Sequence, residues 1–383
     1  MADHVQISDT TLRDGEQAAG VAFGLAAKVE IARQLNQLGV DEIEAGFPSA
    51  SEAEIEAIQA VSKVVTGRRT AVLLRALRAD IDKGAEALKF AEQPVATVVA
   101  PVSDLHIRVK FGKTHDEVLE MVEDSVRYAS KRFQQVIFSG EDATRTDLAS
   151  LERFYLAALS AGASMVSIPD TVGYAQPEEF GQLVAHIRAL IGPDVGLRIH
   201  CHNDLGVGVA NSLAAVRHGA NIVSCTFNGI GERAGNAALE EIVAALAIRE
   251  DYYRRKTRLK LDEIYATSQL VSRLSGVAIG HTKPIVGDNA FAHSAGIHQH
   301  GVLRDRTTYE IASPQLVGAP ERGLVIGKHT GHHGLRAKLT QLRVDLPSQA
   351  AFDRVLAEVK LRAHNGTDID DATLLSIVDG LGR

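Results

Sequence analysis

Cysteine is scarce in this chain of 383 residues, which contains only Cys201 and Cys225. Both lie in runs predicted to be β-strands, and their positions do not form the spaced framework that a disulfide-bonded domain needs. Two such thiols are typical of proteins from reducing compartments. The sequence therefore argues against disulfides and predicts a cytoplasmic protein.

The chain also lacks long apolar runs and basic stretches. No apolar run approaches the ~18 residues of a membrane span, and no basic region followed by an apolar one opens the chain, so neither a span nor a signal peptide is expected. The net charge is −7, and no basic stretch interleaves with aromatic residues, which argues against a nucleic-acid-binding surface. Small anionic metabolites stay open as partners, because local arginines and lysines can outweigh a mildly acidic total.

Eight short β-rich runs alternate with amphipathic helical stretches in the first part of the chain. Repeated β-then-α units build a parallel sheet, and eight of them are the number that closes a barrel. We therefore predict an α/β fold, a (β/α)8 TIM barrel over residues 1–250. The predicted strands are 5–8, 42–46, 70–75, 97–101, 135–139, 165–169, 196–200 and 222–227. The helices predicted between them include 26–38, 51–65, 114–131, 148–161, 177–191 and 208–218.

The pattern changes after residue 250. The charged stretch 251–275 is predicted to be a linker helix, and a segment rich in glycine and histidine follows it. Residues 276–383 are interpreted as small α-rich C-terminal subdomains appended to the barrel, because they contain no second independent fold pattern.

An alternating pair of imidazoles, His200 and His202, stands where the seventh predicted strand ends. Alternate residues of a strand point to the same face, so both rings can reach one divalent cation. The loop 9–17 follows the first strand and supplies carboxylates; we assign Asp14 to the metal. Arg13 is assigned to a substrate carbonyl or carboxylate, which suits a planar guanidinium. Structural histidines and a surface turn are the simpler interpretations of the same residues.

Active sites of TIM barrels lie at the carboxyl ends of the strands. Further polar residues fall at or just beyond those ends: Glu44, Arg75, Ser139, Glu141, Thr171, and Asn228 or Asn236. The glycine-rich loop 228–236 is either a plain connector or a set of backbone amides that holds anionic oxygens. A second histidine group, His329, His332 and His333, is predicted to be structural or solvent-exposed, because it lies in a glycine-rich turn.

Five ordered motifs carry a family resemblance. They are DTTLRDGEQ at 9–17, FSGED at 138–142, PDTVGY at 169–174, HCHNDLG at 200–206 and NGIGERAGNAALE at 228–240. Together they resemble the metal-dependent acyl-CoA condensing enzymes that include 2-isopropylmalate, homocitrate and citramalate synthases, with a barrel like that of hydroxymethylglutaryl-CoA lyase. PDTVGY, with NAFAH at 289–293 and GIHQ at 296–299, looks most like the isopropylmalate branch.

Two features depart from that branch. His300 stands where its members commonly have Asp. The chain also ends near the point where those enzymes usually continue into a leucine-sensing regulatory domain. The resemblance therefore predicts an enzyme without that domain and without feedback inhibition by leucine.

The resemblance also implies roles for individual residues. One divalent metal ion, Zn, Mn or Mg, would be held by Asp14, His200, His202 and Asn236. Arg13 would stabilise the ketone oxygen of a 2-oxo acid. Three further catalytic residues would remove a proton from acetyl-CoA: Glu141, His298 and Tyr309. The implied substrate-binding residues are Gln17, Glu44, Arg75, His106, Ser139 and Thr171.

The implied activity is that of an acyltransferase of leucine biosynthesis, which condenses acetyl-CoA with a 2-oxo acid. The C-terminal subdomains would contribute to the active site of a partner protomer, which predicts a homodimer with domain exchange. A branched apolar 2-oxo acid is the first choice of acceptor. Arg108 and Lys110 leave open an acceptor with a second anion, as in a homocitrate or phosphonomethylmalate synthase. A lyase that cleaves hydroxymethylglutaryl-CoA and a non-catalytic barrel also stay open.

Overall fold

The computed structural model describes residues 4–321 and 324–381. Eight parallel strands follow one another in sequence order around a closed barrel, and β8 pairs with β1. This confirms the predicted (β/α)8 TIM barrel. The strands are β1 Gln6–Asp9, β2 Glu42–Glu44, β3 Arg69–Arg75, β4 Gln93–Pro101, β5 Gln135–Glu141, β6 Met165–Asp170, β7 Gly196–Cys201 and β8 Ile222–Cys225.

Most strand ends lie within two residues of their predicted positions. The largest difference is the start of β4, at Gln93 rather than residue 97. Residues 93–96 pair in register with residues 69–72 of β3. Their own sequence, QPVA, carries little β-strand signal, so the neighbouring strand rather than local preference makes them extended.

Eight α-helices accompany the strands of the barrel: α1 Leu25–Leu38, α2 Glu52–Ser62, α3 Arg78–Ala87, α4 His115–Ala129, α5 Leu148–Ser160, α6 Pro177–Ile191, α7 Gly208–Arg217 and α8 Leu239–Ile248. Their ends follow local chemistry. α4 begins with a capping box in which Thr114 and Glu117 exchange hydrogen bonds with each other's backbone. α1 ends at Gly39, whose φ of 94° forms a left-handed C-cap, a conformation that glycine adopts readily.

The inside of the barrel is layered. An apolar group, Ala71, Val95, Ile137, Met165 and Ile222, fills its amino-terminal part. Because side chains alternate along a strand, the next inward positions lie two residues further on. They are mostly small and polar: Leu73, Thr97, Ser139, Ser167 and Ser224. TIM barrels usually fill such layers with bulky branched side chains, so small residues here leave room for a cavity.

The prediction of one continuous linker helix over residues 251–275 is wrong. A short helix, Glu250–Tyr253, ends where Arg254 takes a left-handed conformation with φ of 53°. The chain then runs beside β1, where the Val5 amide donates to the Lys256 carbonyl at 2.8 Å. Helix α9, Ile264–Ser275, belongs to the barrel unit: Gln34 of α1 donates to the Thr267 hydroxyl at 3.0 Å.

The chain divides into two compact units, Met1–Ile279 and Gly280–Arg383. The second unit contains α10 Gly296–Arg304, α11 His332–Gln341, α12 Gln349–His364 and α13 Asp371–Leu381. Its own apolar core includes Leu335, Phe352, Val355 and Leu374. None of the helices in the described ranges combines the length and apolar character that crossing a membrane requires.

Candidate metal centre and active site

Asp14, His200 and His202 meet at the carboxyl ends of β1 and β7 and are all buried. Asp14 Oδ2 lies 3.5 Å from His200 Nε2 and 3.9 Å from His202 Nε2. The two Nε2 atoms are 3.2 Å apart. Ligand atoms that each stand about 2 Å from one ion are about 3 to 3.5 Å from one another. The three groups are therefore spaced as the ligands of a single metal ion.

Asn236 completes this cluster from the loop after β8. Its Nδ2 donates to Asp14 Oδ1 at 2.8 Å, and its Oδ1 is buried without a hydrogen-bond partner in the described chain. A buried amide oxygen without a partner costs free energy, and a metal ion would satisfy it. A carboxylate, two imidazoles and an amide oxygen suit Zn, Mn or Mg. The residues present thus fit one divalent ion.

Electrostatics keeps the cluster in the protonation state that binds metals. Burial by itself would raise the pKa of the Asp14 carboxyl, but Arg13 and the two imidazoles hold it well below its usual range. Burial, with help from His200, lowers the pKa of His202 to about 3. Metals bind deprotonated carboxylates and neutral imidazoles. His200 Nδ1 lies 3.1 Å from the Ser224 hydroxyl, a contact that orients its ring.

The Arg13 guanidinium lies directly against this cluster. Its Nη1 donates to Asp14 Oδ2 at 2.5 Å, and its Nε donates to Glu44 Oε2 at 2.7 Å. Glu44 also accepts the Thr10 hydroxyl at 2.6 Å. Burial would raise the pKa of Glu44, yet Arg13 and the more distant Arg198 lower it, so Glu44 is a carboxylate that holds Arg13 in place.

The cluster opens into a cavity of about 570 Å³ at the carboxyl end of the barrel. Five of the six predicted substrate-binding residues line it: Gln17, Glu44, Arg75, Ser139 and Thr171. Gln17 accepts from Arg13 Nη1 at 3.4 Å. Arg75 is largely exposed, and its Nε donates to Asp80 at 2.7 Å. Arg75 therefore lies in an ion pair at the cavity wall.

His106, the sixth of these residues, is not among the side chains that line the cavity. Its Nδ1 lies 3.8 Å from Glu141 Oε1, and its Nε2 lies 3.6 Å from the buried Asp142. His106 therefore does not lie where it could directly contact a substrate in this cavity. Its ring instead lies beside the two acidic residues at the end of β5, Glu141 and Asp142.

Glu141 lines the cavity, and both of its carboxylate oxygens accept from Lys110 Nζ, at 2.7 and 2.8 Å. Lys110 lies in the short π-helix Ile107–Phe111. The sequence left open that this lysine meets a second anion of the acceptor or lies on a solvated or CoA-contacting face. Its pairing with Glu141, 31 residues away, has no local signal that could have revealed it.

His298 and Tyr309 belong to the second unit, where they are neighbours. Their ring centroids are 4.2 Å apart and their planes are tilted by 30°. His298 is exposed, and Tyr309 is 45% exposed. His329, His332 and His333 are exposed too, as the sequence predicted.

Sequence reasoning missed several polar residues of the cavity wall, among them Ser167 of β6 and Arg198 of β7. A signal was present, because Arg198 precedes His200 by two positions and so shares its face of the strand.

The glycine-rich loop 228–236 passes very close to the candidate metal ligands. A Cβ on Gly231 would lie 2.1 Å from Asn236 Nδ2 and 2.9 Å from Asp14 Oδ1. Only glycine lets that loop pass so close to the cluster.

The fold and the site define the class: a TIM-barrel enzyme with a candidate divalent-metal centre at the carboxyl ends of its strands. The HMGL-like family model matches residues 4–271, and a model described as homocitrate synthase post-HMGL domain-like matches residues 285–367. The 2-isopropylmalate synthase of Geobacillus kaustophilus is 46% identical over 376 residues, which are 98% of this chain and 73% of that protein. The chain therefore belongs to the HMGL-like family, in the group of enzymes that contains the 2-isopropylmalate synthases.

Two further comparisons agree with this family and this fold. The 2-isopropylmalate synthase of Pyrococcus furiosus is 47% identical over 386 residues, covering 100% of this chain and 77% of that protein. Among solved structures, the hydroxymethylglutaryl-CoA lyase of Brucella melitensis superposes with a TM-score of 0.62 at 20% identity, covering 72% of this chain and all of that one. At that identity the likeness concerns the fold alone.

Proposed function

We propose that this protein condenses acetyl-CoA with a 2-oxo acid, giving a 2-substituted malate and free CoA, in a reaction of the 2-isopropylmalate synthase type. One observation carries the proposal. This chain is 46% identical to such a synthase over 98% of its length. In it, Asp14, His200, His202 and Asn236 lie close together beside the largely buried side chain of Arg13.

The acceptor is held by this chain's own polar groups. A divalent ion at Asp14, His200 and His202 would act as a Lewis acid toward the ketone. Arg13 stands beside Asp14 with its charge directed at the same region, where it stabilises the alkoxide that develops on the ketone oxygen. Thr171 accepts the Asp142 amide at 2.9 Å, which leaves its hydroxyl proton free to donate to the acid's carboxylate.

The donor, acetyl-CoA, must lose a methyl proton before it can attack the ketone carbon. We assign this proton transfer to Glu141, His298 and Tyr309. Lys110 Nζ pairs directly with the Glu141 carboxylate at 2.7 Å, and the His298 and Tyr309 rings already lie together. Once the new carbon–carbon bond has formed, water cleaves the thioester, so CoA leaves as a thiol and the product gains a carboxylate.

The same assignment implies a homodimer with domain exchange, in which residues 276–383 of one chain serve the barrel of the other. Its support is a surface in the second unit. Ile297 is 79% exposed and Ile311 is 85% exposed, and they flank the exposed His298 and Tyr309. Apolar groups clustered around a reactive pair are typical of a surface that another chain covers.

The proposed location is the cytoplasm. Cys201 and Cys225 are both buried and free, and neither is needed as a cross-link, which suits a reducing compartment.

The test is an assay for free CoA thiol on mixing acetyl-CoA with a panel of 2-oxo acids, with and without a chelator. We expect thiol release that requires both an acid and a divalent metal ion. Absence of release with every acid would contradict the proposal, and cleavage of hydroxymethylglutaryl-CoA under the same conditions would assign the protein to the lyases instead.

A further inference from the structure

Three inward-facing residues form a row across the floor of the cavity. Ser139 of β5 pairs in register with Ser167 of β6, and Ser167 pairs in register with Arg198 of β7. All three line the cavity one layer below the metal cluster. The hydroxyls of both serines lack hydrogen-bond partners within the described residues. Hydrogen-bond donors without partners on three neighbouring strands are typical of a subsite that binds a polar group.

Arg198 is the buried cation of this row, with its side chain only 3% exposed. Its Nη1 donates to the Thr97 hydroxyl at 3.2 Å, and its Nη2 contacts Ser8 and Glu42. Its Nε is buried and has no partner within the described chain. A guanidinium that served only to brace the barrel would have its donors satisfied, because an unsatisfied buried donor costs free energy.

The two carboxylates nearest the row, Glu42 and Glu44, already pair with guanidinium groups. Glu42 is shared, since its Oε1 accepts from Arg198 and its Oε2 lies 3.2 Å from Arg69 Nε. The next inward carboxylate along β2, Glu44, is taken up by Arg13 at 2.7 Å. Neither carboxylate therefore pairs with the buried Nε of Arg198. An anion beside that Nε would be stabilised by the guanidinium charge.

We propose that this row, Ser139, Ser167 and Arg198, binds an anionic group at the far end of the acceptor. The inference rests on the proposed condensation and names its substrate class: a 2-oxo acid that ends in a carboxylate or a phosphonate. An aliphatic end, such as the isopropyl group of 2-oxoisovalerate, would leave two hydroxyls and the Arg198 Nε without partners. Sites built to hydrogen-bond a polar substrate group discriminate strongly against analogues that lack it.

The first test compares kcat/KM for 2-oxoisovalerate with those for oxaloacetate, 2-oxoglutarate and phosphonopyruvate in the thiol-release assay. We expect at least one of the three anionic acids to exceed 2-oxoisovalerate by about tenfold. The best of the three shows whether the group is a carboxylate, and at which chain length, or a phosphonate. Equal or better turnover of 2-oxoisovalerate overturns this inference, whereas no turnover of any acid contradicts the condensation itself.

The second test asks whether the row makes the distinction. Ser167→Ala should raise KM for the anionic acid about tenfold, since one hydrogen bond to a charged group is lost, with kcat unchanged and KM for 2-oxoisovalerate changed less than about twofold. Arg198→Lys, which keeps the charge but loses Nε, should shift KM in the same sense. The matched control is Ser62→Ala, a buried serine of α2 bonded to the Ile58 carbonyl. Equal losses with both kinds of acid would make the row structural.

Discussion

At the scale of single residues, the site depends on a few side chains whose charges control one another. Asp14 is ionised because Arg13 and two imidazoles surround it, and Arg13 is fixed because Glu44 holds its other edge. His202 stays neutral because it is buried. This mutual dependence means that removing any one group changes the metal affinity of the rest.

Asp14→Ala and His202→Ala should each lower bound metal and turnover together. The expected metal content falls from about one equivalent per chain to near zero, because loss of one of the four protein ligands leaves a set that holds a divalent ion poorly. Elemental analysis of the purified variants and the thiol-release assay check this. His332→Ala, which removes an exposed histidine of the second unit, serves as the control. Full activity in a metal-free variant would refute the assigned centre.

Asp9 gives a prediction on pH. Burial raises its pKa to about 7, although the Thr11 amide and hydroxyl each donate to it at 2.9 Å. Between the unfolded pKa near 4 and the folded pKa near 7 the native state holds a proton that the unfolded state releases, so this group makes stability fall as pH rises through that window.

Asp9→Asn should remove that fall, because an amide has no proton to lose yet keeps an acceptor for Thr11. Relative to the wild type, the variant should gain stability from pH 4 to pH 7, by up to a few kcal/mol at about 1.4 kcal/mol per pKa unit. Urea unfolding at a series of pH values measures the difference. Parallel curves for the two proteins would show that Asp9 is ionised in the folded state.

At the scale of elements, short loops after strands place the chemistry. The loop after β1 carries Arg13 and Asp14, and the loop after β8 carries Asn236. The second loop is held close by hydrogen bonds across the barrel mouth: the Asn203 amide donates to the Gly235 carbonyl at 2.9 Å, and the Ala237 amide to the Cys201 carbonyl at 2.9 Å. Loops tied down in this way present ligands with little freedom to move.

Gly231→Ala should weaken metal binding without unfolding the barrel. The added Cβ would overlap Asn236 and crowd Asp14, so the loop must withdraw by about an ångström, which weakens a ligand set whose geometry is demanding. We expect at least about tenfold weaker metal affinity, measured by competition with a chelator. Gly24→Ala is the matched control, because a Cβ there meets nothing within 4 Å. Unchanged affinity would mean that the loop is loosely placed.

At the scale of the whole molecule, the proposed roles are divided between two compact units. The metal cluster, Arg13 and Glu141 lie in Met1–Ile279, whereas His298 and Tyr309 lie in Gly280–Arg383. If the second unit serves another chain, one complete active site takes residues from two protomers. That arrangement predicts that two different inactive variants can complement each other.

Mixing two inactive variants, Asp14→Ala and His298→Ala, should restore activity. In an exchanged heterodimer one of the two sites receives only intact residues, so the purified heterodimer should have about half of the wild-type turnover. Co-expression with two different tags, followed by purification of the heterodimer, allows the measurement. Each variant alone is the control, and a mixture as inactive as its components would place His298 in the site of its own chain.

The local pattern of residues along the sequence determined much of this protein's fold. The alternation of β-rich and amphipathic segments is enough for eight strands and a barrel, because strand and helix periods are written in neighbouring residues. His200 and His202 share a face for the same reason, and Gly39 ends a helix through its own backbone freedom. The meeting of the candidate metal ligands Asp14, His200 and His202 near strand ends was therefore predictable from the sequence.

Tertiary structure alone decided the rest. Arg198 contacts Ser8, 190 residues away, and Lys110 pairs with Glu141 across two strand ends. The break at Arg254 and the early start of β4 follow from the strands beside them. Each of these depends on a contact between segments that are distant in sequence. Such contacts exist only once the barrel closes, so no periodicity or local preference along the chain records them.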